Sequence, residues 1–223
     1  MNGSMVRMGL AVMAVGVVVV WANGGRSEKR WTFDQDKLGV APLGWRIAET
    51  GGMGTPATWA VVESGSNQVV SITTNANHGG TYNLLLAKET NYKDLELEVR
   101  VRAVAGKEDQ GGGPIWRAQD IKNYYICRWN PLENNLRLYF VKDGRRKQLA
   151  SAEIDVDPSF WHEIEVEHEG NKIEVEFDGK KVIELNDSTF MEAGMIGLWV
   201  KADGRTEFDD FEVSSEIVES EDD

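Results

Sequence analysis

Between Asp94 and Val104 the chain reads DLELEVRVRAV, with Leu95, Leu97, Val99 and Val101 at every second position and Glu96, Glu98, Arg100 and Arg102 between them. Successive side chains of a strand point to opposite faces, so this segment is a strand with one dry face and one wet face. The same period returns in Trp161–Glu167, where Ile164 and Val166 oppose Glu163, Glu165 and Glu167, and in Lys172–Phe177 through Ile173, Val175 and Phe177. Asp178-Gly179 then marks a hairpin turn into Lys181–Leu185. No helical period of useful length appears between Trp31 and Val213. About a dozen short strands joined by Gly, Asn and Asp turns predict an all-β fold, a two-sheet antiparallel jelly-roll sandwich.

The two ends of the chain read differently. Arg7 precedes an unbroken apolar run from Gly9 to Val20, and Val20-Trp21-Ala22 places small residues where a signal peptidase reads, so residues 1–25 are expected to be a cleaved export signal, with an uncleaved N-terminal anchor as the alternative. Residues 26–213 form the sandwich, and residues 214–223 an acidic tail expected to be disordered. The single cysteine, Cys127, allows no internal disulfide, so stability must come from packing, and eight Trp supply the bulk for one core. The expected location is the periplasm or the cell exterior. Without residues 1–25, 23 Lys and Arg stand against 37 Asp and Glu, a formal charge of −14. That balance excludes phosphate backbones and anionic membranes as preferred partners, because both attract basic surfaces. Neutral ligands, cations and sugars remain, and the oligomeric state is open.

The stretch Gly111–Lys142 reads as three successive strands loaded with Arg, Trp and Tyr. By alternation, Tyr125, Cys127 and Trp129 take one face of Asn123–Asn130, while Tyr124, Ile126, Arg128 and Asn130 take the other. Leu136, Leu138 and Phe140 face inward from the next strand, with Arg137, Tyr139 and Val141 outward; Ile115 and Arg117 oppose Trp116 and Ala118 on the first. If the three strands pair, Arg117, Arg128, Asn130, Arg137 and Tyr139 share one polar-aromatic surface. With Tyr124, and with Trp199 and Lys201 from Met195–Lys201, this surface is a candidate sugar groove: rings stack on the apolar faces of pyranoses and Arg or Asn donate to their oxygens. The plainer alternative is an exposed sheet face with cross-strand Arg–Tyr pairs.

Several segments occur in an order that resembles a known family. They are Trp31-Thr32-Phe33, Tyr92–Arg100, the Gly-led strand Gly113–Arg117, Trp161-His162-Glu163-Ile164, Phe177-Asp178-Gly179-Lys180, Ala193–Leu198 and Phe208-Asp209-Asp210-Phe211. Together they resemble the 3-keto-disaccharide hydrolase or 3-keto-glucoside lyase family of concanavalin A-like, glycoside-hydrolase-16-like jelly rolls. The resemblance implies a carbohydrate partner and cleavage of glycosidic bonds in 3-keto sugars. A 3-keto group acidifies the C2 proton; a carboxylate or His would remove it, and Arg117 with Arg128 would stabilise the enolate oxygen before the aglycone leaves. Glu133, Asp109 and His78 are the base candidates. A non-catalytic, lectin-like module and a surface adhesion module are the alternatives.

Other acidic clusters carry less. Glu153-Ile154-Asp155-Val156-Asp157 superficially matches a retaining-glycosidase signature, but Pro158 follows at once and the segment reads as a strand end. Asp209 and Asp210, with Asp34, form a candidate structural Ca2+ site through hard oxygen ligands. His78, His162 and His168 are too scattered for a zinc site.

Overall fold

A computed structural model of the protein describes residues 19–23 and 26–216. Most of the expected export signal and the tail beyond Glu216 lie outside the described residues. In chain order the strands are β1 (Val19–Asn23), β2 (Arg26–Trp31), β3 (Trp45–Thr50), β4 (Thr58–Ser64), β5 (Asn67–Thr74), β6 (Tyr82–Ala87), β7 (Leu95–Ala105) and β8 (Gly113–Asp120). They continue with β9 (Asn123–Asn130), β10 (Asn135–Lys142), β11 (Arg145–Glu153), β12 (His162–Glu169), β13 (Lys172–Phe177), β14 (Lys180–Asn186), β15 (Met195–Lys201) and β16 (Arg205–Glu216). One sheet runs β1-β2-β16-β7-β12-β13-β14, with β5 also on β16 and β4 on β5; the second runs β11-β10-β9-β8-β15-β6-β3. All pairings between these strands are antiparallel, as in a jelly roll.

The alternation visible in the sequence decides which side chains meet between the sheets. Leu97, Val99 and Val101 of β7 and Ile164 and Val166 of β12 face Trp116, Tyr125, Cys127, Trp129, Leu136 and Leu138 of the second sheet in one core. Each such aliphatic side chain, fully buried, contributes about 1.5–3 kcal/mol. The second sheet also carries apolar residues on the face turned away from this core: Tyr82, Leu84, Leu86, Ile115, Tyr124, Ile126, Tyr139, Val141 and Trp199 form a separate buried cluster. Both of its faces are therefore dry over much of their area, which explains why β6, β8 and β9 read as runs of buried residues.

The outer face of the first sheet is acidic. Glu212, Glu98, Glu165 and Glu176 stand in direct register across β16, β7, β12 and β13. Partial burial, then the charges of Glu163, Glu212 and Glu165, push the Glu98 carboxyl up to about 7. This is the solvated glutamate face expected for Glu163, Glu165 and Glu167, compressed enough to resist full ionisation.

Candidate functional site

The second apolar cluster lies beneath the curved face that is the candidate groove. The guanidinium of Arg146 on β11 lies 4.3 Å from the Tyr139 ring, 5.4 Å from Tyr82 and 5.8 Å from Trp199. Tyr82 sits on β6, five strands from β11. On a flat sheet those strands would stand about 24 Å apart, beyond the combined reach of an Arg and a Tyr, so the sheet curves towards this face. Tyr82 and Trp199 are themselves in contact at 5.2 Å between centroids. Tyr124 is buried beside them with its hydroxyl 3.0 Å from Thr50 Oγ1, and burial raises its pKa.

A charged cluster closes one end of the floor. Pairing of β9 with β10 sets Arg128 opposite Arg137 and Asn130 opposite Asn135. Two guanidiniums in direct register repel, and Glu133 from the β9–β10 turn resolves this by accepting from both, at 3.0 Å from Arg128 Nη2 and 2.6 Å from Arg137 Nη1, and from Asn135 Nδ2 at 3.2 Å. Burial alone would raise the Glu133 pKa, but Arg128, Asn135 and Arg137 outweigh it and hold the carboxyl below its ordinary value. On its other side Arg128 Nη1 donates to Asp109 at 3.2 Å, while Asn130 Nδ2 and Lys201 Nζ reach the same carboxylate at 3.2 and 2.9 Å. Arg128 is 1% exposed, against 42% for Glu133, 31% for Arg137 and 19% for Lys201. Both Nη groups of the buried Arg are thus engaged by the protein, its Nε being buried without a partner, whereas Glu133, Arg137 and Lys201 present their outer edges to the groove.

Asp109 is placed by distant residues. Its loop is gathered by the Asp203 carboxylate, which accepts from the backbone N–H groups of Lys107, Glu108 and Asp109 at 2.8–3.1 Å. Behind the cluster Gly113 presses on the β9 backbone: a Cβ there would stand 2.1 Å from the Cys127 carbonyl oxygen. His78 is exposed on the β5–β6 loop, which is joined to the Asp109 loop by a Gly79 N–H donating to Glu108 Oε1 at 2.8 Å.

The structure therefore brings together Arg128, Glu133, Asn130, Arg137, Tyr139 and Lys201 on one face, with Tyr124 and Trp199 in its floor. Arg117 departs from that expectation. The β8–β9 register slips between Trp116 and Asp120, and Arg117 takes a φ of 44° within the slip. A bulge of this kind shifts alternation by one, so the side chain points away from the groove. Its guanidinium, 0% exposed, donates to the carbonyls of Lys93, Phe190 and Gly170 at 2.6–2.9 Å and to Asp94 Oδ1 at 3.2 Å. It pins three connections together and touches nothing in the groove.

The Ca2+ expectation is also corrected. Asp210 faces Arg30 at 2.8 Å and Arg100 at 3.4 Å, and Asp209 accepts from Asn67 Nδ2 at 2.6 Å. Among the described residues no three His, Cys, Asp or Glu side chains converge as metal ligands. Burial, with the neighbouring charges of Asp210 and Asp34, pushes the Asp209 carboxyl up to about 6. Asn135, Tyr82 and Arg146 belong to the groove but were not picked out by sequence reasoning. The signals for Asn135 and Arg146 were weak: register with Asn130 for the first, and position two residues past the Asp143-Gly144 turn for the second.

The fold is shared with carbohydrate-active proteins. A carbohydrate-binding module of family CBM66 from Bacillus subtilis superposes with a TM-score of 0.61 at 19% identity, over 81% of this chain and 99% of that one. SCLam, a non-specific endo-beta-1,3(4)-glucanase of family GH16, gives 0.62 at 12% identity over 91% and 96%. A Bacteroides ovatus GH16 protein in complex with a G4G4G3G product gives 0.57 at 9% identity over 81% and 98%. No curated protein sequence matches the chain significantly. The sequence profile of one domain family spans residues 31–214, from the Trp31 strand through β16, and by it the chain belongs to the 3-keto-alpha-glucoside-1,2-lyase-like domains.

Proposed function

We propose that the curved face of the second sheet binds a saccharide and that its charged end cleaves a 3-keto-glycoside by elimination. The observation that supports this is the union, at one end of an aromatic floor, of an outward carboxylate, Glu133, with two outward cations, Arg137 and Lys201. In this reading Glu133 takes the C2 proton, whose electrons move towards the C3 carbonyl, and Arg137 or Lys201 meets the developing enolate oxygen. The electrons return to form the C1–C2 double bond as the aglycone leaves with the C1–O bond pair and is protonated by water. Arg128 acts as a positioning residue for both carboxylates. The lowered pKa of Glu133 favours an ionised base at neutral pH, at some loss of basicity.

A second reading is a non-catalytic lectin-like module. It is favoured by the engagement of both Asp109 oxygens and one Glu133 oxygen in ion pairs. Aglycone release from p-nitrophenyl 3-keto-glucoside, with and without divalent metal, separates the two. Release that falls about a hundred-fold or more in Glu133→Gln supports catalysis; saturable binding without release supports the module. Export belongs to the same proposal, and amino-terminal sequencing of the native protein is expected to find a start between Asn23 and Arg26.

A further inference from the structure

Arg146 is unusual in this chain. It lies in the row Tyr124, Val141, Arg146 across β9, β10 and β11, so its side chain projects onto the groove face. Its guanidinium rests against three rings, and its Nη1 is buried without a hydrogen-bond partner. Among the described residues no carboxylate lies within ion-pair distance of it, in a protein with 37 acids and 24 bases. Lys122, Lys142, Arg145 and Lys147, on the same hairpin and the adjoining β8–β9 turn, are likewise unpaired there, and the two turns are tied by Gly144 N–H donating to the Lys122 carbonyl at 3.0 Å. This corner is locally positive although the whole is strongly negative. Beyond about 8 Å the opposing charges are largely screened, so the local sign decides what docks.

A guanidinium stacked on rings uses its faces and leaves its edge N–H groups for in-plane acceptors. The group that satisfies two parallel edge donors at once is a carboxylate; a hydroxymethyl offers one oxygen and no charge. Resting on the saccharide reading above, we infer that Arg146 is the specificity-determining residue of the groove and that the preferred ligand carries a carboxylate on its sugar ring, as a uronic acid residue does. A ring lying on this face beside Tyr82, at 8% exposed the least buried of the three rings that Arg146 touches, places such a substituent at the Arg146 edge, while the Glu133 end remains for the neighbouring unit.

The test is titration calorimetry on the full chain with matched tetramers, glucuronate against glucose and galacturonate against galactose. One acidic tetramer is expected to bind about ten-fold or more tighter than its neutral partner, the factor a single charge-assisted pair supplies. The preference should shrink in high salt and collapse in Arg146→Gln. Equal binding by wild type, a preference that survives in Arg146→Gln, or tighter neutral binding by that variant, as expected if the guanidinium merely plugs the floor, overturns the inference and leaves the saccharide reading standing. If none of the four tetramers binds, that reading falls and the inference falls with it. Should Arg146→Gln fail to fold, the wild-type salt dependence decides: a preference indifferent to salt refutes an anion contact.

Discussion

Replacing Arg117 by methionine keeps the unbranched stem as far as the Nε position and removes the guanidinium with its charge and all its donors. Three carbonyls, the buried one of Phe190 and the part-buried ones of Lys93 and Gly170, lose their partner, and Asp94 loses an ion pair. Asp94 is 47% exposed and water can replace most of what it loses. The carbonyls are less forgiving, because a hydrogen bond from a charged donor is worth about 1.5–3 kcal/mol and an unsatisfied buried acceptor about 1–3 kcal/mol. Since the three share one guanidinium and relax together, the total is expected near 3–5 kcal/mol, as for other broken buried ionic networks. In a domain of this size that corresponds to a fall in Tm of about 10 °C or somewhat more. Thermal unfolding by circular dichroism measures it, with saccharide binding read below the transition. Binding per folded molecule should be unchanged. A loss of binding or turnover at undiminished Tm would refute the structural assignment and return Arg117 to the groove.

Two more outcomes follow from geometry already described. Glu98 has a folded pKa raised to about 7 by burial and by Glu163, Glu212 and Glu165, so the folded state binds its proton more tightly than the unfolded chain does. The resulting penalty is fully present above about pH 7 and is relieved as the pH falls towards about 4.5; Glu98→Gln should therefore raise Tm at about pH 8 and change it little at about pH 5, and an equal effect at both would contradict the pairing. Gly113→Ala should cost about 3 kcal/mol or more, because backbone on β9 must move to admit the methyl, and a soluble variant with unaltered Tm would show that β8 and β9 are less closely set.

What was legible in the sequence depended on local period. β7, β12, β13 and β15 declared themselves by alternation or by an apolar run between turns, and the division of β9 into Tyr125, Cys127 and Trp129 against Tyr124, Ile126 and Arg128 held in the structure. Arg117 failed for a definite reason: one residue inserted in a ladder reverses every facing assigned by parity, and nothing in Ile115-Trp116-Arg117-Ala118 marks the insertion. The importance of Asp109 was only half visible. It sits in an irregular loop whose shape depends on Asp203, far along the chain. Arg146 was invisible because its role follows from curvature of the whole sheet, a property no short window of sequence contains.

The tight seat of Gly113 also limits how a groove of this kind diversifies. The wall behind Arg128 admits no added carbon, so a lineage seeking a different sugar cannot remodel it by substitution there. Room for novelty lies on the rim instead, where Met53, His78 and Leu132 are exposed on connections that bear little of the packing. New ligand preferences are then expected to arise by exchange of these loop residues, or of Arg146 at the far edge, while the backbone of β8 and β9 stays as it is.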